Sequence, residues 1–439
     1  MTSRRPARSG LTRRALLEGG ALALPALAAN AVAPYGFARS ARPSALDRVT
    51  VGIIGCGGMG RANMNSFQQL AGAQVVAVCD VDANHAAAAR EQALATYAGQ
   101  SDAQVRRGTI DVYADYRELL ARTDIDAVVV ATPDHWHGLN VVHAVKAGKD
   151  VYGEKPLSLT IGQGRAMSDA VTDYGRVFQT GSQQRSDARF RRACELVRNG
   201  RLGEVRKVTC VLHRGSSAPP ADPVPVPDGF DYDFWLGPAP AVPYVPNRAH
   251  YVFRHQYDYS GGIVTDWGAH HIDIAHWALG LETTGPIEVS ATGTFPSDGP
   301  WNAPLTFDIT ARYRTGVEFL ITSEGENGIT FEGDEGTLFV SRGRIDATPA
   351  GILDSEIRPT EHRYPVSPGH HQDFLDRMQD RRQCIAPIEH AHRTITVAHL
   401  GNIALRTGRP VPWDPDRETT TDAIAERLLD RRLRGEWSL

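Results

Sequence analysis

Six residues, Gly55-Cys56-Gly57-Gly58-Met59-Gly60, constrain this chain more than any other feature. They follow the apolar run VGII and open the helix-like stretch GRANMNSFQQL, and Asp80 closes a second apolar run twenty positions after Gly60. A bare GxGxxG is a weak signal, but between a strand and a helix, with a trailing acid, it specifies a dinucleotide-binding βαβ unit. Glycines at 55, 57 and 60 let the backbone approach a pyrophosphate at a helix N-terminus. A carboxylate at Asp80 accepts hydrogen bonds from an adenosine ribose diol and repels a 2′-phosphate, which favours NAD and leaves NADP as the alternative.

Around that motif the pattern alternates strand and helix. RVTVGII, AQVVAVCD, IDAVVVATP, KDVYGEKP and RVFQTGS read as strands, separated by the helices GRANMNSFQQL, ANHAAAAREQALATY, HGLNVVHAVKAG and GQGRAMSDAVTDYG. Such alternation predicts a parallel sheet covered on both faces. Beyond Gln183 the character changes. Nine of the 27 prolines fall between Pro219 and Pro246, alongside FDYDFWLGPAP, so an irregular loop anchored by aromatic residues is expected there. One helix, GGIVTDWGAHHIDIAHWALG, follows, then alternating strands from about 287 to 345 that suit an open antiparallel sheet, and two closing helices. The expected fold class is therefore α/β, with a Rossmann domain over 48–185 and a C-terminal α/β domain with a large, mostly antiparallel sheet over 186–439.

The first 33 residues read as an address. Thr12-Arg13-Arg14-Ala15-Leu16-Leu17 resembles a twin-arginine export motif, Gly19 to Ala29 has the length of a signal core, and Ala31-Val32-Ala33 offers a cleavage site. Residues 34–47 would form a leader or arm. The full chain carries −4, and removal of the arginine-rich start leaves 42 basic and 50 acidic residues, a net of −8. That acidity argues against a general nucleic-acid partner, which needs a basic surface. No later stretch is apolar enough for a membrane anchor. Five cysteines, none closely spaced and one necessarily unpaired, fit buried core thiols better than a disulfide framework.

A second constellation carries chemistry. Lys155, in Gly153-Glu154-Lys155-Pro156, would lie at the C-terminal edge of the parallel sheet, where open α/β folds bind ligands. Asp266 and His270, four apart on the expected helix, would share a face with Asp273. An imidazole oriented by a carboxylate can take a hydroxyl proton, and a lysine can hold the oxygen; spacing alone leaves a structural pair equally open. Gln183, Gln184 and Arg185 follow the last parallel strand, where groups for sugar hydroxyls are expected, or a capped domain junction. Trp235, Tyr244, Arg248 and His250 line a carbohydrate face or anchor the loop. His135 with His137, His270 with His271, and His390 with His392 lack further ligands at diagnostic spacing, so no metal is expected.

Together VGIIGCGGMG, VVAVCD, ATPDHWHGLNVVHAVKAGKDVYGEKPLSLT and GGIVTDWGAHHIDIAHWALG resemble the glucose-fructose oxidoreductase and inositol dehydrogenase family, Gfo/Idh/MocA, over nearly everything after Arg48. The resemblance implies a nicotinamide-dependent oxidoreductase acting on a sugar, polyol or glycoside hydroxyl, and a homo-oligomer formed through the C-terminal sheet. It assigns cofactor contacts to Gly55, Gly57, Gly58, Met59, Gly60, Asp80, Thr132, Pro133, His137, Glu154 and Lys155. Catalysis falls to Lys155, Asp266 and His270, with Asp266 orienting the imidazole, and substrate binding to Gln184, Arg185 and His270. The usual T-P-N-x-x-H stands here as Thr132-Pro133-Asp134-His135-Trp136-His137, so Asp134 alters contacts near the nicotinamide ribose. Export to the periplasm or beyond, where free nicotinamide is scarce, favours a tightly held cofactor. It also keeps open a glycoside hydrolase that oxidises its substrate transiently.

Overall fold

The computed structural model describes residues 48–99 and 109–439; the expected signal and leader lie outside these. The first sheet is built from β1 (Val49–Ile54), β2 (Ala73–Cys79), β3 (Asp111–Tyr113), β4 (Ala127–Val130), β5 (Asp150–Gly153) and β6 (Phe178–Thr180). All its pairings are parallel, in the order β3-β2-β1-β4-β5-β6. The connecting helices are α1 (Gly58–Gln68), α2 (Ala83–Ala98), α3 (Tyr116–Leu120), α4 (Asp134–Lys146) and α5 (Ile161–Asp173). Strands β4 and β5 are buried along their whole length, as expected for a sheet with helices on both faces. In register, Ile54 pairs with Val130 and Val130 with Gly153, so the residues that follow these strands emerge side by side on one edge. The strand order reverses between β1 and β4, and ligands of such sheets bind outside that point.

The second sheet is mixed. After α6 (Ala188–Arg198) come β7 (Val205–Val211), α7 (Tyr232–Leu236), α8 (Gly262–Asp266) and α9 (Gly268–Leu279). Strands β8 (Glu288–Thr294), β9 (Thr306–Arg312), β10 (Glu318–Thr322), β11 (Gly328–Gly333), β12 (Thr337–Val340) and β13 (Ile345–Thr348) follow. Last are α10 (His370–Asp380), α11 (Ile388–Thr407), β14 (Val411–Pro412) and α12 (Ala423–Glu426). The order is β13-β12-β11-β7-β10-β9-β8-β14, and only β7 with β10 is parallel. The helix expected over 261–280 is two helices, α8 and α9, meeting at Trp267. The late chain also returns to the first sheet. Phe374 of α10 packs edge-on against Phe67 and Tyr152, with ring centroids 6.1 and 6.0 Å apart. Among the described residues no helix is long and apolar enough to cross a membrane.

Candidate active site

A cavity of about 450 Å³ opens along the shared strand edge. Gly55, Gly57, Gly58, Met59, Asp80, Thr132, Pro133, Glu154, Lys155 and Asp266 all line it. At one end the glycine turn leads into α1. Gly55 has φ +90, and a Cβ there would lie 2.6 Å from the Ala131 carbonyl oxygen, while one on Gly60 would overlap the Gly55 carbonyl. Cβ atoms on Gly57 and Gly58 would meet nothing within 4 Å, and Gly57 caps α1 without any side-chain hydrogen bond. Open space over uncapped N–H groups at the start of an 11-residue helix is what a pyrophosphate requires. Asp80 stands beside it, accepting from the Cys56 N–H at 2.7 Å and the Asp82 N–H at 2.9 Å. The residues present therefore fit a dinucleotide.

At the other end lies an ion pair. The Lys155 ammonium bonds the Asp266 carboxylate and, at 3.2 Å, the Asp266 carbonyl, which leaves one of its three donors for a ligand oxygen. The break between α8 and α9 makes this possible. In an unbroken helix the Asp266 carbonyl would accept from the His270 N–H, but here that N–H bonds the Trp267 carbonyl at 3.0 Å. Burial pushes the Asp266 carboxyl upward, yet Lys155 and Arg254, whose Nε lies 3.6 Å away, outweigh it and hold the group below its ordinary value. Glu154, hydrogen-bonded by Asn63 at 2.8 Å, is raised by its burial.

The expected orientation of His270 by Asp266 is corrected, because the carboxylate is committed to Lys155. His270 is buried, its Nδ1 has no hydrogen-bond partner, and it is absent from the cavity wall. Burial, then the nearby Lys155 charge, holds the imidazole well below its usual basicity, so it is neutral. Asp273, expected on the same stripe, instead makes two 2.7 Å bonds with Arg185. Arg185 is 1% exposed and also bonds the Ile385 carbonyl, so its assignment to substrate is corrected to a buried tie. Gln184 is buried with both amide atoms unpartnered, off the cavity wall. His137 is likewise not a wall residue: its ring nitrogens lie 2.8 Å from the Pro156 and Thr132 carbonyls and staple two wall segments.

The four loop residues left open between a carbohydrate face and an anchor divide between the two roles, and the residues that pin them were not legible. Trp235 and His250 line the cavity, whereas Arg248 bonds Gln256 and Tyr259 within the loop, and Tyr244 packs on Phe230 and Tyr232. The Trp235 carbonyl receives the Trp136 indole N–H at 2.8 Å and lies 2.9 Å from His135 Nε2, pinning α7 to α4. The C-terminal tail backs this wall: Trp437 stacks on Phe234, and Arg434 bonds the Gly237 carbonyl at 2.8 Å. Asp82, His85 and His250 place donor atoms within 4.8 Å of one another, a grouping that sequence distance hid. Those donors already engage one another and Asp80, with His250 Nε2 3.2 Å from Asp82 and His85 Nδ1 3.7 Å from Asp80.

Comparison with known proteins agrees with this geometry. Residues 49–182 match the Gfo/Idh/MocA oxidoreductase family's NAD-binding Rossmann fold, and residues 207–439 match its C-terminal alpha/beta domain. The chain belongs to this family of NAD-binding oxidoreductases. It is similar to inositol 2-dehydrogenase of Rhizobium meliloti, at 31% identity over 56% of this chain and 58% of that one. It is also 34% identical to glycosyl hydrolase family 109 protein 2 of Shewanella sp. strain ANA-3, over 35% of each chain. Among solved structures it shares its fold with the WlbA dehydrogenase of Bordetella pertussis in complex with NADH and UDP-GlcNAcA. That match has a TM-score of 0.60 and 20% identity, and covers 84% of this chain and 99% of that one.

Proposed function

We propose that the protein oxidises a secondary hydroxyl of a sugar, polyol or glycoside, with NAD preferred over NADP. The observation that carries this reading is the Lys155–Asp266 pair at one end of a cavity whose other end is the glycine turn. When bound, the nicotinamide supplies the hydride acceptor. The chain's residues do the rest. The free donor of Lys155 holds and polarises the substrate oxygen, and Asp266 fixes Lys155 in place. His270, held neutral beside the Lys155 charge though not itself on the cavity wall, is in this reading the final acceptor of the hydroxyl proton, which reaches it by way of Lys155. The aromatic wall of Trp136, Phe234 and Trp235 excludes water. Denaturing the purified protein and identifying released nucleotide by mass spectrometry, then offering polyols and glycosides to native protein, tests the reading. Absence of nicotinamide nucleotide and of any oxidation would overturn it.

The likeness to a family 109 glycosyl hydrolase favours a second reading, hydrolysis through transient oxidation by the same residues. Release of aglycone with no net change in cofactor redox state separates the two. We further propose a twin-arginine signal over residues 1–33, a periplasmic or extracellular destination with tightly held cofactor, and self-association through the second sheet. Arg13→Lys with Arg14→Lys should leave precursor in the cytoplasm; mature protein outside at unchanged yield would refute the signal. Light scattering of the purified protein reads the subunit count, and a monomer would refute self-association.

A further inference from the structure

Asp134 opens α4 and lies on the wall of the cavity that the glycine turn and the Lys155–Asp266 pair also line. It is 3% exposed, and its Oδ2 has no hydrogen-bond partner. Ser260, on the same wall and 1% exposed, turns its hydroxyl toward this carboxyl and favours its ionised form. A carboxyl enclosed in this way, with one oxygen left without a hydrogen bond, is costly to keep charged unless a cation stands near it. The charges facing Asp134 come from three elements: Lys155 after β5, Arg254 in the turn at 250–255, and Asp266 of α8. Lys155 and Arg254 already share the Asp266 carboxylate, so neither is committed to Asp134. Burial first, aided by Asp266 and opposed by Ser260, Arg254 and Lys155, raises its pKa to about 7.

We propose that Asp134 couples a proton to the oxidation state of the bound nicotinamide, ionised against the cationic oxidised ring and protonated against the neutral reduced one. This rests on the reading of the site given above, which puts the reacting end of the cofactor beside Lys155 and Asp266. A carboxylate and a pyridinium ring in one enclosed cavity attract strongly, and the attraction vanishes when the ring is reduced. Oxidation of a secondary alcohol moves a hydride, with its electron pair, to the ring and frees the hydroxyl proton. His270 receives that proton first and returns to its neutral form as Asp134 takes up one proton, so none need leave the complex and the internal redox balance becomes insensitive to pH near neutrality. An asparagine in this position could bind the same ligand atoms without titrating.

The test is equilibrium titration of the full-length protein, freed of carried-over nucleotide, with NAD+ and separately with NADH from pH 5.5 to 8.5. Linkage of one proton makes the ratio Kd(NADH)/Kd(NAD+) climb with pH, by up to about tenfold per unit. In Asp134→Asn the ratio should stay flat near the wild-type value at low pH, with both nucleotides still bound. A flat wild-type ratio, or an unchanged slope in Asp134→Asn, overturns the inference while leaving the site assignment intact. Failure of the wild-type protein to bind either nucleotide overturns both.

Discussion

Replacing Arg185 tests whether the guanidinium is a structural tie or a substrate ligand. Its two bonds to Asp273, both 2.7 Å, join the turn after β6 to α9, and a third, at 3.1 Å, reaches the Ile385 carbonyl ahead of α11. The ring of Trp277 lies 5.3 Å below the guanidinium carbon. In Arg185→Met the side chain keeps much of its volume, but Asp273, 2% exposed, retains only a 3.4 Å contact from the Thr394 hydroxyl. Stranding one partner of a buried pair costs about 3–5 kcal/mol, and the lost bond to the Ile385 carbonyl adds about 1 kcal/mol. Urea denaturation should show a lower midpoint at unchanged slope. Adding Asp273→Leu should recover much of the loss, because the uncompensated charge is then gone. Wild-type stability in Arg185→Met, combined with a KM for the sugar raised tenfold or more, would refute the structural assignment.

The remaining predictions concern the cavity. His270→Ala and Lys155→Ala should each lower turnover by about a hundred- to ten-thousandfold while nucleotide stays bound, read by steady-state rates and bound-nucleotide analysis; wild-type turnover in either would remove that residue from the mechanism. Asp80→Ser should weaken NAD and narrow the gap to NADP, read by titration of both, and an unchanged preference would mean that the ribose is recognised elsewhere. Trp437→Ala should lower thermal stability by an amount equivalent to about 2–4 kcal/mol and weaken nucleotide binding through the α4–α7 wall, whereas stability loss without any change in binding would limit the tail to a structural role.

Local patterns carried the fold and half of the site into the sequence. The glycine turn, Asp80, Thr132 and Lys155 each sit at the end of an apolar strand, and a parallel sheet brings strand ends to one edge, so periodicity alone placed them together. The partners of Asp266 and Arg185 were not legible for the converse reason. A spacing of four suggests a shared helical face only if the helix continues, and whether it continues past Asp266 depends on Lys155, 111 residues away in sequence, capturing its carbonyl. Arg185 looked like a ligand because it follows a strand of the sheet. Its burial depends on α9 and α11 meeting there, which no local pattern records. The half-hidden trio Asp82, His85 and His250 makes the same point, since a loop 165 residues after His85 closes over α2.

The pairing of Lys155 with Asp266 also determines where the chemistry is vulnerable. Lys155 follows β5 of the first sheet and Asp266 ends α8, so the part of the cavity wall they form is assembled from both halves of the chain. Arg185 to Asp273 is a second bond across the same seam, seven residues along from Asp266, and it is buried where the first is open to ligand. In the reaction proposed above, Lys155 must keep one donor free and therefore cannot be locked from every side. The rigidity needed to hold that donor within hydrogen-bond reach of a substrate oxygen has to come from elsewhere on the seam. The sealed pair is the bond on that seam placed to supply it. A variant that loosens Arg185 without unfolding the chain, such as Arg185→Lys, is therefore expected to lower turnover more than nucleotide affinity, because the glycine turn and Asp80 lie wholly within the first half and do not depend on how α8 and α9 are seated.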